Sequence, residues 1–102
     1  KNTLNLEEYK QEIILKAFSF HSKGKLMEAS RFYQIFLDKG FSDPRVFSNY
    51  GSIFKQLGQF DKAIDLYEKA ISLFPNNAIA YSNLGSIFAF LSNVYVLDDA
   101  SK

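Results

Sequence analysis

The chain repeats itself every 34 residues. Aligning residues 10–43, 44–77 and 78 onward superposes Ile13, Phe47 and Tyr81; Ala17, Gly51 and Gly85; and Phe20, Phe54 and Phe88. Gly24 meets Gly58, with Ser92 in the third copy. Leu26 falls on Phe60, Ala29 on Ala63 and Tyr33 on Tyr67. The run Ser48-Asn49-x-Gly51-Ser52-Ile53-Phe54 returns almost unchanged as Ser82-Asn83-x-Gly85-Ser86-Ile87-Phe88. A period of this length marks a stacked-repeat architecture, in which one supersecondary unit cannot bury its apolar face alone and does so against its neighbours.

Each copy reads as two helices. Asp43-Pro44 places an N-cap before a proline at the first helical position, where a missing N–H costs nothing. Phe47, Tyr50, Gly51 and Phe54 then share one face at helical spacing. Gly58 interrupts the pattern, and Phe60, Ala63, Ile64, Tyr67 and Ile71 form the stripe of a second helix. Pro75-Asn76-Asn77 ends it and caps the next. In the first copy, Asn5 with Glu8 three residues on makes a capping box, so a helix starts near Leu6. It ends by Gly24; a second runs to about Asp38, and Gly40 supplies a left-handed stop. Ala17, Gly51 and Gly85 sit mid-helix, where glycine costs about 0.5–1 kcal/mol relative to alanine. Such residues are expected where another backbone comes close. Helices this short are marginal alone, so stacking must stabilise them.

The third copy departs from the frame. Leu97-Asp98-Asp99-Ala100 echoes Leu26-x-x-Ala29 and Phe60-x-x-Ala63, but three residues late, and the inter-helix glycine is missing. The sequence therefore predicts a first helix running nearly a turn past Leu91, then a truncated second helix. Ile87, Phe88, Phe90, Leu91, Val94 and Val96 are more apolar side chains than one preceding repeat covers, and exposed contiguous apolar surface marks interfaces. Two readings stay open: further chain beyond Lys102 covers this end, or two chains pack end to end or exchange the last helix through residues 87–102, with Ile87, Phe90, Leu91 and Val94 as the self-association candidates.

Composition narrows the function classes. Twelve Lys and Arg face eleven Asp and Glu, a formal charge of +1, without the basic face of a nucleic-acid binder. Cysteine is absent and His21 is the single histidine, which removes disulfides, thiolate chemistry and a histidine-pair metal site within one chain; no cofactor is implied. The apolar stretch from Ile87 to Leu97 is about half the ~20 residues of a membrane-spanning helix. No targeting signal is visible, which leaves the cytoplasm as the default compartment. Neighbouring acids such as Asp98-Asp99 and Glu7-Glu8 point apart on a helix, and no carboxylate is spaced to orient His21, so an enzyme is not expected.

The pattern Phe47-x-x-Tyr50-Gly51-x-x-Phe54-x-x-x-Gly58-x-Phe60-x-x-Ala63-x-x-x-Tyr67-x-x-Ala70-x-x-x-x-Pro75 resembles a tetratricopeptide repeat. The first copy keeps the period but carries Lys16, Phe36 and Phe41 where the second has Tyr50, Ala70 and Pro75. The resemblance implies an all-α fold: a single domain over residues 1–102, a right-handed superhelical solenoid of about two and a half repeats and five to six helices. The repeats would span 10–43, 44–77 and an incomplete 78–102 after a short extension.

It also implies a concave face lined by first helices and holding an extended peptide. By alignment that lining includes Phe18 and His21; Ser48, Asn49, Ser52 and Lys55; and Ser82, Asn83 and Ser86. Asn49 and Asn83, one repeat apart, resemble the asparagine ladder of long tetratricopeptide superhelices. An amide offers donor and acceptor together, so each rung can pair with a peptide backbone. Leu15 stands at the equivalent place in the first copy, which limits the ladder to two rungs. Relatives that clamp the acidic tails of chaperones use Lys, Asn and Arg; of the matching positions here, Ile14, Phe18, Ile79 and Asn83 do not supply that set and only Asn49 fits. The leading expectation is thus a protein- or peptide-binding scaffold module without chemistry of its own. The alternatives are a substrate-recruiting arm of a larger enzyme such as a glycosyltransferase, or a self-association element.

Overall fold

The computed structural model describes the backbone of residues 5–100 and the side chains of residues 5–94. All regular structure among these residues is helical: α1 (Leu6–Ser22), α2 (Leu26–Asp38), α3 (Pro44–Gln56), α4 (Phe60–Leu73) and α5 (Ala78–Ala100). The chain divides between Val46 and Phe47 into two compact units.

The starts of α1, α3 and α5 follow side-chain caps. The Glu8 amide donates to Asn5 Oδ1 at 2.8 Å and the Asn5 amide to Glu8 Oε1 at 3.1 Å, closing the capping box. Asp43 Oδ1 accepts the Arg45 amide at 2.8 Å, and Asn77 Oδ1 accepts the Ala80 amide at 3.2 Å. Asp43 and Asn77 are one period apart, so the repeat extends to the caps. The ends of α1, α2 and α3 follow the glycines. Gly24, Gly40 and Gly58 have φ of 76°, 84° and 76°, and each closes a paired backbone motif. After Gly58, for example, the Gln59 amide reaches Phe54 O and the Gly58 amide reaches Lys55 O, which satisfies carbonyls that the helix leaves open.

In the first unit α1 and α2 form an antiparallel hairpin. Phe20 stacks on Phe32 at 5.7 Å and Phe18 lies against Tyr33 at 6.3 Å. Ala17, Ala29, Tyr33 and Phe36 have no exposed surface. Phe41, just after the Gly40 stop, folds back on Phe36 at 5.3 Å.

The second unit repeats the hairpin with residues 47–56 of α3 against α4. A Cβ at Gly51 would stand 2.8 Å from Tyr67 Cε1, closer than real atoms come, so the bare glycine backbone is what admits the tyrosine ring. Tyr67, Ala63 and Ala70 are fully buried. Helix α5 then packs on α4 through Ala80 and Ile87, at 0% and 1% exposure, and through Phe90, whose ring meets Phe60 at 5.4 Å.

The third copy does not make a hairpin. Helix α5 continues without a break to Ala100, well past the expected turn, and no sixth helix lies among the described residues. The cause is local. Where Gly24 and Gly58 take positive φ, the third copy has Ser92, and a non-glycine residue pays about 1–2 kcal/mol for the left-handed conformation. Nothing from Leu91 to Leu97 breaks a helix, so the helix continues. The side chains of Val96, Leu97 and Ala100 lie outside the described residues. Gly85 also differs from expectation: it is exposed, and an added Cβ would meet nothing within 4 Å. Among the described residues no second helix approaches it.

The two glycines should therefore respond oppositely. Gly51→Ala should lower unfolding stability by about 1–3 kcal/mol through overpacking against the Tyr67 ring. Gly85→Ala in dilute protein should raise it by up to about 1 kcal/mol through helix propensity alone. Chemical denaturation of both variants checks the contrast.

Candidate functional site: the α3–α5 face

Two contacts place α3 and α5 side by side within the second unit. Asn77 Nδ2 donates to Ser48 Oγ at 3.2 Å, and Lys55 Nζ donates to Asn83 Oδ1 at 3.5 Å. Both partners advance along the chain together, so the two helices run in the same direction and share a face.

The serines of α3 are used internally. Ser48 is 4% exposed and holds the capping residue of α5. Ser52 Oγ donates to Ser48 O at 2.9 Å and meets the Tyr67 hydroxyl at 3.1 Å. This pair satisfies the buried phenol, whose pKa burial pushes up while the Ser52 bond partly opposes it. Ser48 is thus core, not lining. Its counterpart Ile14 is 1% exposed, so the position is buried in both copies.

The asparagines remain available. Asn49 is half-buried, and among the described residues its amide has no hydrogen-bond partner. Asn83 Oδ1 accepts from Lys55 and keeps a second lone pair, and its NH2 group is free to donate. Ser82 is exposed, and so is Ser86, whose hydroxyl turns back to Asn83 O at 2.9 Å. Ile79 and Phe90, at 63% and 52% exposure, add apolar surface to the same side of α5. Lys55 is the single charge among residues 47–56 and 78–94.

Phe18 and His21 belong to the first unit. Tyr33 carries the hydroxyl that pairs with His21 Nδ1 at 2.8 Å, so this buried phenol is satisfied by the histidine as Tyr67 is by Ser52. Phe18 lies beneath the Arg45 guanidinium at 5.3 Å. Arg45 is itself held by Asp43, with Nε 3.0 Å from Oδ1 and NH2 2.8 Å from Oδ2. Burial pushes the Asp43 carboxyl up, but the hydrogen bonds and charge of Arg45 outweigh it and hold the group below its ordinary value.

The self-association candidates separate. Ile87 is core. Leu91 is half-buried and lines a shallow cleft with Gly58, Gln59, Phe60, Asp61 and Lys62. Phe90 and Val94 remain exposed, at 52% and 42%. Phe88, named with that apolar end, is 48% exposed; Tyr81, which sequence reasoning did not place there, is 51% exposed. Sequence reasoning also missed the Ser48–Asn77 latch, for which the one-period spacing of Asp43 and Asn77 was the available signal.

These features define a helical-hairpin repeat protein, built on small residues facing buried tyrosines. A family model described as TPR repeat matches residues 51–90. With the helical hairpins on the same frame, this match supports a tetratricopeptide repeat assignment; such repeats generally mediate protein–protein interaction. No curated protein and no solved structure matches the chain. No helix among the described residues is long and apolar enough to cross a membrane.

His21 makes part of the stability pH-dependent. Burial holds its folded-state pKa below the ordinary 6.5. The unfolded chain therefore takes up the proton first as pH falls. Stability present above pH about 6.5 should decline as pH drops through that value toward the folded-state value. His21→Gln should flatten this component. Denaturation midpoints between neutral and mildly acidic pH, wild type against variant, read it directly.

Proposed function

We propose that the second unit binds an extended segment of a partner protein along the α3–α5 face, with Asn49 and Asn83 gripping the peptide backbone. The observation that carries the reading is the state of the two amides. On a face where Ser48 and Ser52 are consumed by internal hydrogen bonds, Asn49 keeps both its donor and its acceptor. A half-buried amide with no partner in the protein is free to exchange its water hydrogen bonds for bonds to a ligand, a net gain of about 0.5–1.5 kcal/mol each. Lys55 orients the Asn83 carbonyl, which keeps a second lone pair, and the NH2 is presented to a peptide C=O. Each rung can thus pair with a peptide N–H and a peptide C=O.

Backbone recognition of this kind sets partner chemistry loosely. Ile79 and Phe90 favour apolar side chains on the bound segment, and Lys55 supplies the only charge. Binding should accordingly depend weakly on ionic strength, because one partly paired cation has little to screen.

A peptide-array screen followed by titration tests the proposal. The double variant Asn49→Ala plus Asn83→Ala should weaken binding of the selected peptides at least about 10-fold, from three or four lost hydrogen bonds of about 0.5–1.5 kcal/mol each. Its unfolding stability should stay within about 0.5 kcal/mol of wild type, because neither amide supports the core. Unchanged affinity in the double variant contradicts the reading.

A further inference from the structure

Lys55 is the residue of the α3–α5 face that the repeat does not explain. One period earlier the same position holds His21, whose Nδ1 serves the Tyr33 hydroxyl at 2.8 Å, and one period later it holds Ala89. Lys55 also stands outside the five positions, Ile14, Phe18, Asn49, Ile79 and Asn83, that match the clamp of chaperone-tail binders. The hairpin does not need it either. Ser52 already meets the Tyr67 hydroxyl, and Ser48 already holds the cap of α5.

Its chemistry is unfinished within the chain. An ammonium carries three N–H donors and no acceptor. One donor reaches Asn83 Oδ1 at 3.5 Å, a long contact with a neutral oxygen. No carboxylate among the described residues pairs with it; the ion pairs there are Lys16–Glu12 and Arg45–Asp43. The acids of α4, Asp61, Asp65 and Glu68, are all exposed, and none reaches Lys55. Lys55 itself is half-buried, so part of its hydration is lost with no opposite charge to offset it. The Asn83 contact holds the side chain across from α3 to α5, which places the charge before a ligand arrives.

We propose that the segment bound on this face carries one acidic side chain, Asp or Glu, whose carboxylate pairs with Lys55 beside the Asn83 rung. This deepens the peptide reading and rests on it. Asn83 keeps its amide for the segment's backbone while Lys55 takes a neighbouring side chain, so the acidic position adjoins the residue that Asn83 grips. The carboxylate is an internal side chain, not the end of the partner chain. Ile79 and Phe90 lie four residues before and seven after Asn83 on the same side of α5, about 6 and 10 Å along its axis, and a segment that covers both runs past Lys55 in each direction. A second acid finds no counter-ion, because the rest of residues 47–56 and 78–94 is uncharged.

The test starts from a neutral, apolar-rich peptide taken from the array screen, with a single Glu moved through every position and Gln as its control, titrated against the whole chain. Glu should bind about 3- to 10-fold tighter than Gln at one internal position, a gain between that of an exposed ion pair and a charge-assisted hydrogen bond. Amidating the peptide's C-terminus should leave this preference intact. Lys55→Met keeps the aliphatic stem and should bring the Glu-to-Gln ratio to about one, and Lys55→Glu should turn the preference to Lys at the same position. A wild-type chain that binds Glu and Gln peptides equally, while Asn49→Ala still weakens both, overturns the Lys55 pairing and leaves the peptide reading standing. A Glu preference that survives Lys55→Met, or one that vanishes on amidation, also overturns it. An array in which no segment binds overturns both readings together.

Discussion

The approach of a side-chain-free backbone to a buried tyrosine ring organises the second unit. Gly51 lets α3 and α4 come within a distance that any Cβ would forbid, and Tyr67 fills the space. Burying a phenol then creates a second requirement, because an unpaired hydroxyl in the core costs about 1–3 kcal/mol. Ser52 meets it for Tyr67, and His21 meets it for Tyr33 in the first unit. Much of the polar inventory of the first helices is committed to these tyrosines before any ligand arrives. Among the described residues no buried side-chain polar atom lacks a partner.

This commitment shapes the candidate site. A face that reads from the sequence as a run of serines presents fewer free hydroxyls in three dimensions. Ser48 and Ser52 belong to the structure, and the functional weight moves to Asn49, Asn83 and the apolar pair Ile79 and Phe90. Lys55 joins the two helices and orients one amide, a role that its position on an alignment does not disclose.

The fold was legible because each feature that sets it is local. Caps at Asn5, Asp43 and Asn77 and glycine stops at Gly24, Gly40 and Gly58 each act within a few residues, and the 34-residue frame places them in order. The third copy was misread for the converse reason. The echo of Leu26-x-x-Ala29 in Leu97-x-x-Ala100 suggested a second helix, yet a turn needs a residue that tolerates positive φ, and Ser92 is not one. Gly85 was assigned a close neighbour by analogy, and that neighbour depends on the turn. The site was less legible. Whether a serine faces a groove or a tyrosine is decided across helices, and a sequence pattern gives residue types without their partners. The core status of Ser48 was nonetheless available from Ile14, its counterpart one period earlier.

A double-mutant cycle on Gly51 and Tyr67 tests the organising contact most directly. The account expects Gly51→Ala to be strongly destabilising beside Tyr67 and neutral or slightly stabilising in the Tyr67→Leu background, a coupling of about 1 kcal/mol or more. Additive effects of the two substitutions would contradict it, and with it the claim that this close approach holds the hairpin together.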